Sequence, residues 1–293
     1  MKKLFKKLYA IFPFKKQIFR GIKKIGKPPG NVYKHLHFKG KFKIDIDPGK
    51  SFEIIHYGFE IENELFWRGI QNGWEKVSLG LWIQLSQISD VIFDIGANTG
   101  VYSLVARTIN SNARVFAFEP VERTFNKLIK NCLLNKYDDI ICFQKAVSNY
   151  SGRAIIYDSM EEGILSVTVN QNLQNSSTKV KECEIETVTL KNIIKENKIQ
   201  KIDLMKIDVE THEPEVLEGF GEYLKIFQPT LLIEILSDEA GERIKALIEG
   251  IDYLYFNIDE NNGIRQVSVI GRSDYYNYLF CRKEIAQKLK LLN

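Results

Sequence analysis

The sequence predicts an α/β fold: a mostly parallel sheet with helices on both faces, an antiparallel pair near one edge, and an α+β extension ahead of it. Three observations predict this. From residue 90 onward, short apolar runs alternate with stretches of helical period. The first run, Val91–Ile95, feeds into the loop Asp94-Ile95-Gly96-Ala97-Asn98-Thr99-Gly100 and then into a helix over Val101–Ile109. Near the other end, 263–270 and 275–282 both read as strands with no helix between them.

The elements follow in order. Residues 1–30 form a basic segment with ten Lys/Arg and no acid. Within 1–27, Leu4, Leu8, Ile11, Phe12, Ile18, Ile22 and Ile25 recur at roughly helical spacing, broken at Pro13. Lys27-Pro28-Pro29-Gly30 reads as a linker. Residues 31–89 form an extension packed on the main domain. There, 41–47 alternates polar and apolar residues as a half-buried strand does, and Pro48-Gly49 turns the chain. Residues 62–87 are helical in places and carry Trp67, Trp74 and Trp82. Residues 90–293 form the main domain. Its further strands are expected at Arg114–Phe118, 140–143, 202–207, 230–235 and 253–258. Its further helices are expected at 121–135, 190–197, 214–223 and 239–249. The stretch 158–182, with its Asn/Gln/Ser-rich centre at 170–177, is polar and unpatterned. With 31–90 it is where a substrate pocket would be built.

Composition narrows the function classes. Hydrophobic residues make up 44% and charged residues 27%, which is ordinary for a soluble globular chain and excludes a disordered or fibrous one. Beyond residue 30 the chain holds 31 Lys/Arg against 37 acids, so the body is mildly acidic and no broad nucleic-acid surface is expected on it. No apolar run approaches the roughly 18 residues of a membrane span. The apolar stretch 8–14 is too short for a secretory signal and contains Pro13. Four cysteines without Cys-x-x-Cys spacing, and four histidines, argue against a zinc site. The expected location is cytoplasmic. Residues 1–27 are either a solvated or packed helix, or a peripheral contact with the inner face of an anionic membrane.

The glycine loop carries the first chemistry. A phosphate-binding loop needs Gly-Lys-Ser/Thr, which is absent. A dinucleotide loop, as in a dehydrogenase, prefers Gly-x-Gly-x-x-Gly, and position 98 is Asn. The spacing here is Asp-x-Gly-x-x-x-Gly, met by Asp94, Gly96 and Gly100 with Ala97 and Asn98 between. It resembles the first motif of S-adenosyl-L-methionine (SAM)-dependent methyltransferases. SAM carries a cationic amine and a sulfonium, and Asp94 suits that charge. The second strand ends in Phe118-Glu119-Pro120. An acid at that tip accepts hydrogen bonds from both ribose hydroxyls of a nucleoside, the role expected of Glu119. After the third strand, backbone groups of Ala146 and Val147 are expected beside adenine.

A second cluster, Lys206-Ile207-Asp208-Val209-Glu210-Thr211-His212-Glu213-Pro214, closes a strand with ionisable groups just before a helix. Alternation puts Lys206, Asp208 and Glu210 on one side if the strand extends that far. The alternative is that Glu210 to Glu213 simply cap the helix and meet its positive end. Asp208, Glu210 and His212 are the candidate general bases, in that order of geometry. A divalent metal on Asp208, Glu210 and Glu234 is an alternative, although no metal is expected.

Together 91–104, 115–120 with Asn135, 203–219 and 229–234 resemble the FkbM-type methyltransferase family over roughly residues 60–240. The block Lys206-Ile207-Asp208-Val209-Glu210, Glu213, Val216-Leu217 and Gly219 is the more specific part. The chain departs from the family's usual Glu-Gly-Ala-Glu by reading Glu210-Thr211-His212-Glu213, and Lys191 replaces a helix-opening acid. The resemblance implies a Rossmann-like class I methyltransferase sheet, SAM as cofactor, and O-methylation of a hydroxyl on a sugar, glycan or related metabolite. Three rivals stay open: a dehydrogenase, a nucleic-acid methyltransferase docked by the basic head, and a non-catalytic membrane-associated protein that kept only the fold. No Asn/Asp-Pro-Pro-Tyr motif supports the second.

Overall fold

The computed structural model describes residues 13–159, 167–168 and 180–292. The head before residue 13 and most of the polar stretch around 170–177 lie outside the described residues.

The described residues begin with helix α1 (Lys15–Ile25) and the single turn α2 (Gly30–Tyr33). A hairpin of β1 (Gly40–Asp47) and β2 (Lys50–His56) follows, turning at Pro48-Gly49. Phe42, Ile44 and Ile46 of β1 and Phe52 and Ile54 of β2 are buried, as the alternation predicts. Helices α3 (Glu60–Arg68) and α4 (Lys76–Gln87) complete the extension. Trp67 and Trp82 are fully buried and anchor it: Trp82 Nε1 donates to the Tyr102 carbonyl at 2.9 Å.

The main sheet begins at β3 (Val91–Ile95), followed by α5 (Val101–Ile109), β4 (Arg114–Phe118), α6 (Glu122–Leu134) and β5 (Ile141–Phe143). Asparagines on and just beyond α6 tie the hairpin to this half. Asn131 Oδ1 accepts from the Ile55 amide at 3.0 Å, and Asn135 Oδ1 from the Glu53 amide at 2.7 Å. Asn131 Nδ2 also donates to the Thr99 carbonyl at 2.8 Å, so one side chain couples β2 to the glycine loop.

The structure then adds what the sequence reading did not foresee. Strands β6 (Ala146–Val147), β7 (Gly152–Ser159), β8 (Val167–Thr168) and β9 (Val180–Val188) form a separate small sheet in the order β6-β9-β7-β8. Helix α7 (Leu190–Glu196) returns to the main sheet at β10 (Leu204–Ile207), with Thr189 Oγ1 capping the Asn192 amide at 3.2 Å. The helix expected over 214–223 is two helices, α8 (Glu213–Phe220) and α9 (Glu222–Phe227). Gly221, at φ 60°, breaks them apart. Then come β11 (Thr230–Glu234), α10 (Asp238–Leu247), β12 (Leu254–Asp259), β13 (Gly263–Val267), β14 (Asn277–Cys281) and α11 (Lys283–Lys288).

The main sheet runs β13-β12-β14-β11-β10-β3-β4-β5. Strands β5, β4, β3, β10 and β11 are parallel, and β14 enters antiparallel between β11 and β12. Strand order reverses between β3 and β10, and ligands bind in α/β sheets beyond the carboxyl ends at such a reversal. One apolar layer under the sheet includes the extension, α5 and Leu128 of α6. The other holds α7, α8, α9 and α10.

Candidate active site

The loop after β3 is fixed by its neighbours. The Gly96 and Ala97 amides both donate to the Phe118 carbonyl, at 3.0 and 2.9 Å, which pins the loop to β4. Gly96 sits at φ 82°, and a Cβ there would fall 1.8 Å from the Asp208 carbonyl oxygen, so only glycine lets the β3 and β10 ends lie this close. Asn98 takes the left-handed region at φ 51°, which asparagine tolerates better than most residues.

Glu119 braces this loop from the tip of β4. Its Oε2 accepts from the Asn98 amide at 3.1 Å and its Oε1 from the Val121 amide at 2.9 Å. Burial pushes its carboxyl up to about 7 despite those bonds. Asp94 Oδ2 accepts from Ser103 Oγ at 2.6 Å, while Asp94 Oδ1 is buried without a partner. Burial raises the Asp94 carboxyl, and nearby Lys206 opposes that shift.

One cavity collects these groups. Asp94, Gly96, Ala97, Asn98, Glu119 and Pro120 line it from the first half of the sheet. Ala146 and Val147 of β6 line it on a second side, and Asp208, Glu210 and His212 on a third. Gly100 does not reach the cavity. It sits at φ 93° ahead of α5, where a Cβ would meet Leu128 Cδ1 at 2.5 Å, so it serves the turn and the packing.

The ionic centre is Lys206, 4% exposed on β10. Its Nζ pairs with Asp208 Oδ2 at 2.5 Å and lies 4.6 Å from the Tyr102 ring centroid. Burial lowers its pKa, but Asp208, Glu75 and Asp94 raise it further, so the ammonium titrates above its ordinary range. Tyr102 donates to Glu75 Oε2 at 2.5 Å, and Asn277 Nδ2 to Glu75 Oε1 at 3.3 Å. Burial pushes Glu75 up to about 7. At the end of β11, burial together with Asp208 and Glu210 pushes Glu234 up to about 9. Sequence reasoning missed Trp74, Glu75 and Tyr102, whose convergence depends on how the extension packs.

After Ile207 the strand ends, so Glu210 does not continue its alternation. Asp208 still donates its amide to the Ile95 carbonyl at 3.0 Å. The chain then turns sharply, with Glu210 at φ 54° and Thr211 at φ 77°. A β-branched residue at such a φ is an outlier, with a strain of about 1–3 kcal/mol. Burial, then the Asp208 charge, raises the Glu210 carboxyl. His212 Nε2 lies 3.0 Å from Ser148 Oγ and its Nδ1 3.5 Å from Glu215, and burial lowers its pKa, favouring the neutral ring. The Val209 amide donates to Glu213 Oε1 at 3.1 Å, so Glu213 stabilises the turn from inside α8. Among the described residues no three His, Cys, Asp or Glu side chains are grouped to hold a metal ion. No described helix is long and apolar enough to cross a membrane.

The sheet order and the cavity at its reversal define the chain as a Rossmann-like protein of the class I methyltransferase architecture. The model of the FkbM methyltransferase domain matches residues 94–263, and the chain belongs to the FkbM methyltransferase family. Its curated relatives include the hexuronic acid methyltransferase AglP of Haloferax volcanii, 26% identical over 162 residues, a match covering 55% of this chain and 63% of that protein. Another is the 31-O-demethyl-FK506 methyltransferase FkbM of Streptomyces tacrolimicus, 28% identical over 187 residues and covering 55% of this chain and 71% of that one. The chain thus spans less than two thirds of the length of the first. Among solved structures, methyltransferase FkbM from Methylobacillus flagellatus aligns with a TM-score of 0.41 at 14% identity, covering 66% of this chain and 43% of that one.

The strain at Thr211 yields a prediction. Replacing Thr211 with glycine, the residue the family usually has there, is expected to raise stability to urea by about 1 kcal/mol. Elsewhere a new glycine costs a similar amount. A loss of stability on Thr211→Gly would show that the turn is not strained.

Proposed function

We propose that this chain transfers a methyl group from SAM to a hydroxyl of a sugar, glycan or related metabolite. The observation that carries the reading is Glu119 and Asp94, acids at adjacent strand tips, facing one cavity with the Lys206–Asp208 pair across it. The residues present fit the cofactor. The buried, unpartnered Asp94 Oδ1 offers an acceptor for an ammonium, the Glu119 carboxylate suits a ribose diol, and Gly96 leaves room for close approach. Ala146 and Val147 would meet adenine.

When bound, SAM supplies an electrophilic methyl on a sulfonium. The protein's part is to bring a hydroxyl into line with it and to hold a base for the proton released. Alignment alone supplies much of the acceleration in such displacements. Asp208 is the first candidate for the base, because one carboxylate oxygen is held by Lys206 and the group lines the cavity. Glu210 and the neutral ring of His212 are the next candidates.

Relatives support the acceptor class: one is named for a hexuronic acid and another for 31-O-demethyl-FK506. Replacing Glu119 with Ala is expected to weaken SAM binding about 10- to 100-fold in a calorimetric titration, the loss of charge-assisted hydrogen bonds. The intact gene is expected to add a 14-dalton (one CH₂) increment to cellular glycans, and Asp208→Asn to abolish it while leaving SAM affinity within about twofold. Unchanged affinity on Glu119→Ala would refute the ribose assignment, and an increment that persists in Asp208→Asn would move the base elsewhere.

A further inference from the structure

A second cavity opens at the same carboxyl edge of the sheet. Its walls are the segment after α3, the end of β11 and the loops around β12 and β14. Trp74 lines both cavities, and its ring stands edge-on to Tyr102, 6.3 Å between centroids. Glu75, bonded to Tyr102, also lines the second cavity, as does Glu234, which feels the charges of Asp208 and Glu210. The two cavities are therefore adjacent, meeting at Trp74 and near the candidate base.

We infer that the second cavity binds the methyl acceptor, and that the acceptor is an uncharged sugar ring stacked on Trp74. The inference rests on the reading of the first cavity as the SAM site. Trp67 and Trp82 are fully buried, whereas Trp74 is only partly buried, and an indole face suits the C–H face of a pyranose. Asn72, Tyr275, Tyr276 and Asn277 supply donors and acceptors around it. Burial favours the protonated forms of the Glu75 and Glu234 carboxyls, which can both donate to and accept from hydroxyls. The charge balance disfavours an anionic sugar. With the Glu75 and Glu234 carboxyls protonated, Glu260 and Asp274 balance Arg68 and Lys76, so no surplus positive charge offsets the desolvation of an anion.

Emission from Trp74 gives the test, because the other two tryptophans are sealed from solvent. Protein loaded with S-adenosylhomocysteine (SAH, the demethylated product) is titrated with methyl hexopyranosides and with the matching methyl hexuronides. The expected result is a saturable change with the neutral glycosides, lost in Trp74→Phe. In Asn72→Phe, which obstructs the exposed rim, the response should weaken at least about tenfold while SAH affinity holds. The proposal fails if SAH binds and no glycoside changes the emission, if the response survives Asn72→Phe, or if the hexuronide binds more tightly. Failure of SAH itself to bind would instead overturn the reading of the first cavity, and this one with it.

A different observation concerns α1. The helix is held to the body by Phe19, whose ring lies 5.6 Å from that of Trp67, and by Lys23, which donates to the Phe66 carbonyl. Along another face Phe14, Ile18, Ile22 and Ile25 are exposed, at spacings of four, four and three residues. Lys15, Lys16, Arg20, Lys23, Lys24 and Lys27 share the segment, with no acid, while the rest of the chain is net acidic. We propose that this face docks on an anionic lipid surface, with isoleucines in the acyl boundary and lysines at the headgroups. The full chain should co-sediment with phosphatidylglycerol vesicles, release at high salt, and ignore pure phosphatidylcholine. The double variant Ile18→Asp, Ile22→Asp should lose vesicle binding and keep its circular dichroism spectrum. Equal binding to both vesicle types, no binding, or tighter binding to duplex RNA or DNA in the same buffer would overturn the proposal.

Discussion

The carboxyl edge of this sheet depends on one buried ammonium. Lys206 lies on the Tyr102 ring and pairs with Asp208, within the field of Asp94 and Glu75. A lysine buried alone would lose its proton, whereas here the surrounding acids hold it charged. In return, its charge lowers the electrostatic cost of gathering several carboxyls in a low-dielectric space. Each partner comes from a different part of the chain: Asp94 from β3, Asp208 beyond β10, Glu75 from the extension. Lys206 is thus an electrostatic link between the extension and the cavity.

Close backbone approach is the second constraint. The missing Cβ at Gly96 lets the ends of β3 and β10 meet, and Gly219 does the same for α8, where a Cβ would lie 2.0 Å from the Ser148 carbonyl. That contact seats Ser148 beside His212. The left-handed turn at Glu210 and Thr211 directs the chain from Asp208 into α8. A local conformation unfavourable for these residues persists because contacts on both sides over-determine it.

The parts legible in sequence share a physical reason. Strands β3, β4, β10 and β11 are buried on both faces, so each is an apolar run that composition alone reveals. The acids at their tips, Asp94, Glu119 and Asp208, stand out for the same reason. The β6–β9 sheet was not legible. Its long strands β7 and β9 pair antiparallel across a polar stretch that reads as loop, so the pairing is a non-local contact that no short window of sequence marks. The break at Gly221 is not legible because residues of α8 and α9 pack in the same apolar layer, and a single glycine does not end a helical pattern by itself. Trp74 and Glu75 were invisible as site residues, since only tertiary packing of the irregular extension brings them to the cavity rim.

We propose the cavity at the β3–β10 reversal as a nucleoside site with an acid for the ribose and an acid for the amine. In a crystal structure with S-adenosylhomocysteine, the ribose hydroxyls should lie within hydrogen-bond distance of the Glu119 carboxylate, the amino group near Asp94 Oδ1, and adenine against Ala146 and Val147. Ligand bound elsewhere, or in this cavity with its ribose away from Glu119, would contradict it.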